Sequence, residues 1–125
     1  MKILLDTHTF IWYIEGNERL GQANRILLDA VENEKFLSMA SIWEMALKKN
    51  SGKLTLSKPL QSYVPPEITV IDVKLVHIFH LENLPEYHKD PFDRIIIATS
   101  IVEQMPLMSI DEFFEQYDVL KIWNN

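Results

Sequence analysis

The sequence predicts a doubly wound α/β sandwich with a mainly parallel central sheet, and three observations carry that prediction. Short apolar runs alternate with stretches of helical periodicity along the whole chain. The runs are continuously apolar instead of alternating, as strands covered on both faces are. Helical segments separate them, which is what parallel neighbours require of a connection.

The elements follow in order. Lys2–Leu5 opens the chain as a buried strand, and the stretch through Glu15 reads as a helix with Phe10, Ile11 and Ile14 on one side. Gly16-Asn17 breaks it. Asn24–Glu34 has Ile26, Leu27, Ala30 and Val31 at helical spacing, and Lys35–Ser38 is a short strand. Ser41-Ile42-Trp43-Glu44 has the form of a capping box and predicts a helix over Ser41–Lys49, closed by Asn50-Ser51-Gly52. Lys53–Pro66 carries Pro59, Pro65 and Pro66 and reads as an irregular insertion with a short helix at Leu60–Val64. Thr69–Val73 is β-branched and apolar, hence a strand, and Leu75–Leu84 is a helix. Glu86–Lys89 is a loop. Asp90–Gln104 is the clearest helix, with Asp90 as N-cap and Pro91 in the first helical position. Pro106–Ser109 is a strand, Glu112–Tyr117 a short helix and Asp118–Ile122 a last strand.

A chain of 125 residues suits one domain, residues 1–125, able to bury roughly two-thirds of its unfolded surface. With 47% hydrophobic and 24% charged residues the composition is that of a globular protein and not of a disordered one. The absence of cysteine excludes a disulfide scaffold, a zinc–thiolate site and a cysteine nucleophile. The opening apolar run meets Asp6 too soon for a signal peptide, and no stretch approaches the ~20 apolar residues of a membrane span. A soluble, cytoplasmic protein without a membrane partner is therefore expected. The net charge of −6 speaks against nucleic acid as a partner, but the average hides a split. Nine acids face only Lys89 and Arg94 between Glu82 and Asp118, whereas Lys48, Lys49, Lys53 and Lys58 lie in a stretch without any acid.

Ligands of open α/β sheets bind beyond the carboxyl ends of the strands, and acids cluster there in this sequence. Asp6 follows the first strand, Glu44 is expected in the first turn of the helix after the second, Asp93 lies in the first turn of the helix before the fourth, and Asp111 follows that strand. Each has a plain local explanation as a cap or as an acid favoured by a helix dipole. Together they would repel one another unless a cation joined them. Oxygen ligands without cysteine suit Mg²⁺ or Mn²⁺. Such an ion activates water and neutralises charge at a phosphodiester, which also answers the objection from net charge. Asp90 can share the face of Asp93, and the hydroxyls of Thr7 and Ser109 stand where they can orient a carboxylate or a water.

The ordered set Leu4-Leu5-Asp6-Thr7-His8, Ser41-Ile42-Trp43-Glu44, His88-Lys89-Asp90-Pro91-Phe92-Asp93-Arg94 running into Ile95-Ile96-Ile97-Ala98, and Ser109-Ile110-Asp111 resembles PIN-domain proteins, above all the VapC-like toxins of bacterial toxin–antitoxin pairs. The match spans residues 3 to 122. The resemblance implies a three-layer α/β/α fold and Mg²⁺- or Mn²⁺-dependent endoribonuclease activity. Asp6, Glu44 and Asp93 match the three core acids and Asp111 the more variable fourth. A homodimer is implied as well, with a small antitoxin that blocks the site by an inserted segment. The preference for RNA over DNA rests on the resemblance alone.

Around this core, His88 is a candidate for phosphate contact or proton transfer, against the plain reading of a solvated loop histidine. His8, beside Asp6, is a candidate for supporting the ligands from behind, against the same plain reading. Arg94 is expected in an intramolecular ion pair, with RNA phosphate as the other possibility. Lys48, Lys49 and Lys53 are the best contacts for an RNA backbone, or else simply complement the end of a helix. Trp12, Trp43 and Trp123 are expected as buried anchors more than as base-stacking platforms. His77 and His80 lack acidic partners at metal spacing and are expected at the surface or in packing. Two other functions fit this fold class. A phosphoacceptor receiver domain needs an acidic pair after strand one and a lysine before a late proline, and Asp6 stands alone while Met105 precedes Pro106. A non-catalytic PIN-fold module binding RNA or protein would not need all four acids.

Overall fold

Ile3, Leu4 and Leu5 are wholly buried although their side chains point alternately to opposite faces, so the first strand has a hydrophobic core on each side. The computed structural model describes residues 1–125. Its strands are β1 (Lys2–Leu5), β2 (Glu34–Ser38), β3 (Ile68–Ile71), β4 (Leu107–Met108) and β5 (Lys121–Ile122). Its helices are α1 (Thr7–Glu15), α2 (Gln22–Asp29), α3 (Met39–Asn50), α4 (Leu75–Glu82) and α5 (Pro91–Glu103), with short 3₁₀ turns at Glu18–Leu20, Leu60–Ser62 and Glu112–Gln116.

All four strand pairings are parallel, in the order β3-β2-β1-β4-β5. The chain therefore winds outward from β1 through β2 to β3, then returns to the other side of β1 for β4 and β5. Between β1 and β4 the connections leave in opposite directions, which opens a crevice at their carboxyl ends. Leu4 pairs with Leu107 and Leu5 with Met108, so Asp6 and Ser109 continue from adjacent strands into that crevice.

Pleating sorts the side chains into two cores. Ile3, Leu5, Leu37 and Met108 meet Phe10, Leu20, Leu28 and Met45 on the face of α1–α3. Tyr63 from the proline-rich insertion completes this core, its hydroxyl donating to Glu15 at 2.6 Å. Leu4 and Leu107 meet Ile96, Ile97, Leu84, Phe114 and Tyr117 on the opposite face. The expected sandwich with helices on both faces of a parallel sheet is the observed one.

Local boundaries depart from expectation where a side chain finds a better use. The helix of Glu44 starts at Met39, capped by Ser38, whose hydroxyl accepts from the amide of Ala40. Ser41-Ile42-Trp43-Glu44 is thus not a capping box, and Glu44 lies in the second turn. Helix α2 ends at Asp29 because Glu34 pairs with Lys2 in the sheet, and Val31 is fully in solvent instead of on an apolar helix face. Strand β3 begins one residue early and ends at Ile71, and β5 is reduced to Lys121–Ile122. Asp90 caps α5 through the amides of Phe92 and Asp93, with Pro91 in the first turn, as expected.

Candidate functional site

Asp6 is the N-cap of α1 and leaves β1 directly into the crevice. Its Oδ1 accepts from the amide of Thr7 at 2.8 Å and its Oδ2 from the hydroxyl of Ser109 at 2.9 Å. Ser109 Oγ also accepts from the amide of Asp111 at 3.0 Å, so one buried hydroxyl ties the ends of both central strands together. Thr7 faces the other way. Its Oγ1 lies 2.7 Å from Glu44 Oε1 and 2.8 Å from Ser41 Oγ. A threonine hydroxyl has one proton, so it donates to the carboxylate and accepts from the serine. Glu44 is only 2% exposed, and its other oxygen is held by Lys48 Nζ at 2.6 Å.

The opposite wall comes from α5 and the loop before it. Asp93 projects from the first turn of α5, and its Oδ2 lies 2.7 Å from His88 Nε2. Asp111 caps the Glu112–Gln116 turn through the amide of Phe113. Ligand atoms of His88, Asp93 and Asp111 all lie within 4.8 Å of one another. The tightest group is therefore two of the four expected acids plus a histidine, while Asp6 and Glu44 stand behind it with their oxygens held by hydroxyls, an amide and Lys48.

Electrostatics link the two walls. Burial pushes the carboxyl of Asp6 up to about 6, against the hydrogen bond from Ser109 and the nearby charge of His8, with Glu44 adding repulsion. Asp93 is pushed up to about 7 by burial first and then by the charge of Asp6, with Asp90 and Glu44 adding to it and His88 opposing. Burial works against the charge of Lys48, but Glu44 and, farther off, Asp90 and Asp93 hold it above the ordinary lysine value. A cation among these groups would remove the repulsion that raises the two carboxyls. The carboxylate and hydroxyl donors fit Mg²⁺ or Mn²⁺.

Several expected roles change. Lys48 is engaged by Glu44, which leaves Lys49 and Lys53 as the exposed cations at the end of α3. Arg94 makes no ion pair: its guanidinium donates to the carbonyls of Leu84, Pro85 and His88, because these loop carbonyls have no strand or helix partner. His77 is wholly buried and sits 2.7 Å from Glu103, a partner one helix away that spacing along α4 cannot reveal. Trp12 and Trp123 pack edge to face, but Trp43 is 62% exposed and rests against Phe92. Sequence reasoning missed Ser41 and Tyr117 as supports. Ser41 lies three residues before Glu44, one helical turn, which was the available signal. Tyr117, whose hydroxyl accepts from the amide of His88 at 2.7 Å, left none.

The sequence matches the family described as PIN domain over residues 3–120. No curated protein sequence matches the chain. Among solved structures, it is similar to VapBC2 from Rickettsia felis bound to a promoter DNA fragment, at 18% identity and a TM-score of 0.76, over 99% of this chain and 100% of that one. It is similar to FitAcB from Neisseria gonorrhoeae at 18% identity and a TM-score of 0.71, over 98% and 96%. It is also similar to VapC20 from Mycobacterium tuberculosis, described as a toxin that cleaves the sarcin–ricin loop, at 15% identity and a TM-score of 0.70, over 98% and 99%. At these identities the structures speak for the fold, and the sequence match speaks for the family. With nearly the whole chain matched and the crevice placed at the seam of its parallel sheet, the protein belongs to the PIN domain family.

Proposed function

We propose that the chain is an endoribonuclease that uses Mg²⁺ or Mn²⁺ held by Asp6, Glu44, Asp93 and Asp111, and that it is the toxin of a cytoplasmic toxin–antitoxin pair. The observation that carries this reading is the gathering of four carboxylates around the crevice between β1 and β4, two of them raised by burial and by the charge of neighbouring carboxylates. A divalent ion bound there supplies an activated water and charge for the phosphoryl oxygen. The chain's own groups do the rest. Ser109 and the amide of Thr7 fix both oxygens of Asp6, and Thr7 and Lys48 fix both oxygens of Glu44. Asp90 fixes the first turn from which Asp93 projects. Lys49 and Lys53 are the cations free to meet the RNA backbone.

The same reading gives the chain a partner. A structure of similar fold from Klebsiella pneumoniae is described as a toxin–antitoxin complex, and this chain shows a groove suited to an antitoxin segment. Met39, Trp43, Val73, Ile78, Pro91 and Phe92 line an apolar groove, and Trp43 and Phe92 are the chain neighbours of Glu44 and Asp93. An antitoxin segment with an apolar side and a basic residue at its tip fits both groove and crevice, and the toxin is expected as a homodimer. No helix of the chain is long and apolar enough to cross a membrane.

The test is cleavage of a mixed RNA pool and of matched DNA by purified protein with Mg²⁺, Mn²⁺ or EDTA, beside Asp93→Asn. Metal-dependent RNA cleavage lost in the variant is expected. Faster cleavage of DNA than of RNA removes the toxin assignment. Failure of the folded protein to bind either metal favours a binding module without catalysis.

A further inference from the structure

The loop before α5 is fastened more firmly than a connection of this kind requires. Arg94 holds the carbonyls of Leu84, Pro85 and His88, and Tyr117 holds the amide of His88. The imidazole of His88 lies flat on Phe113, with centroids 5.2 Å apart and planes 10° from parallel, and Phe114 closes its edge. Backbone and ring are thus fixed from three sides, which sets Nε2 2.7 Å from Asp93 Oδ2 and brings a ring nitrogen within 4.8 Å of carboxylate oxygens of both Asp93 and Asp111. Adjacent ligands of an octahedral divalent ion stand roughly 3 Å apart, so these separations suit a shared ion with little rearrangement. A histidine serving only to hold Asp93 would need neither the stacking nor Asp111.

We propose that His88 is a direct nitrogen ligand of the catalytic ion, alongside Asp93 and Asp111, and that it makes the site select Mn²⁺ over Mg²⁺. This rests on the metal-dependent reading given above. Imidazole suits Mn²⁺ and later first-row ions far better than Mg²⁺, which keeps to oxygen and holds its waters. Asp6 and Glu44, with their oxygens already held by hydroxyls, an amide and Lys48, then complete the site from the buried wall.

The test reads the metal and not the activity. Mn²⁺ is titrated into the full chain and followed by electron paramagnetic resonance, with spin-echo modulation to detect ¹⁴N bound to the ion. In the wild type, ¹⁴N modulation is expected. In His88→Gln, whose amide still reaches Asp93, the modulation is lost and Mn²⁺ binds about tenfold more weakly, while Mg²⁺ changes less than about threefold. Phe113→Ala, which removes the stacking partner but keeps the ligand, retains the modulation with weaker binding. Mn²⁺ bound without ¹⁴N modulation overturns the proposal and leaves the nuclease reading standing. Modulation that persists in His88→Gln assigns the nitrogen to another residue such as His8 and also overturns it. No Mn²⁺ binding at all overturns both readings.

Discussion

On the β1 side of the crevice, Asp6, Thr7, Ser41, Glu44 and Ser109 are all buried and joined by hydrogen bonds of 2.7–2.9 Å. On the α5 side, His88, Asp93 and Asp111 are half-exposed and held by a loop, an aromatic stack and helix caps. The first wall grows from strands packed on both faces, so its polar groups must satisfy one another inside the protein. The second is built on a connection and two helix starts, where water can still reach. In the function proposed above, the difference separates two tasks: the buried wall sets the positions of charge, and the open wall is the side from which ion and substrate would enter. Changes in the first should cost both fold and chemistry, and changes in the second chiefly chemistry.

The strongest way to break that comparison is to remove a carboxylate from each wall. Asp6→Asn and Asp93→Asn are both expected to lower single-turnover RNA cleavage by roughly a thousandfold or more, with native circular dichroism. Full activity in either variant takes that residue out of the site. Next come the buried hydroxyls. Thr7→Val and Ser109→Ala each leave a buried carboxylate short of a donor, and each should lose about 2 kcal/mol in urea unfolding. Asp111→Ala on the open wall loses only a cap, about 1 kcal/mol. Equal losses on the two walls would contradict the division.

The pH dependence sharpens it further. Asp6 and Asp93 are raised from 3.8 to about 6 and about 7, so between those values the folded chain binds more protons than the unfolded one. Stability of the metal-free protein therefore falls as pH rises from about 4 to about 7, the reverse of the usual carboxylate behaviour. Melting scans should show this slope, and saturating Mn²⁺ should flatten it. A metal-free melting temperature that rises over the same window would mean that capping outweighs repulsion. The smallest effect is expected on the apolar groove. Trp43→Ser should change stability by less than about 0.5 kcal/mol, since Trp43 is mostly in solvent, and a larger loss would make the groove part of the core.

The sheet and the acids were legible because both are written locally. Continuous apolar runs mark strands buried on two faces, and Asp90-Pro91 marks a helix start without reference to anything else. Asp6, Asp93 and Asp111 follow from their places beside those elements. What escaped is the choice among equivalent local options. Ser38 and Ser41 both precede Glu44 at plausible capping distances, and only the position of Thr7 in the folded chain draws Ser41 away from the cap. Arg94 sits beside an acid, yet unpaired loop carbonyls claim it. His77 finds Glu103 and His88 finds Phe113 across elements, contacts that no periodicity along one helix encodes.

The bond between Ser109 and Asp6 spans 103 residues of chain. Contacts of such separation form late, because the loop they close must be ordered first. A chain still emerging from the ribosome has β1 with Asp6 early, but it lacks β4 and therefore one side of the crevice until about a hundred further residues have been made. For the nuclease proposed above, this order of assembly is a built-in delay: the acid cluster is incomplete until Asp111 has been made, and only then would an inhibitor have a finished site to block.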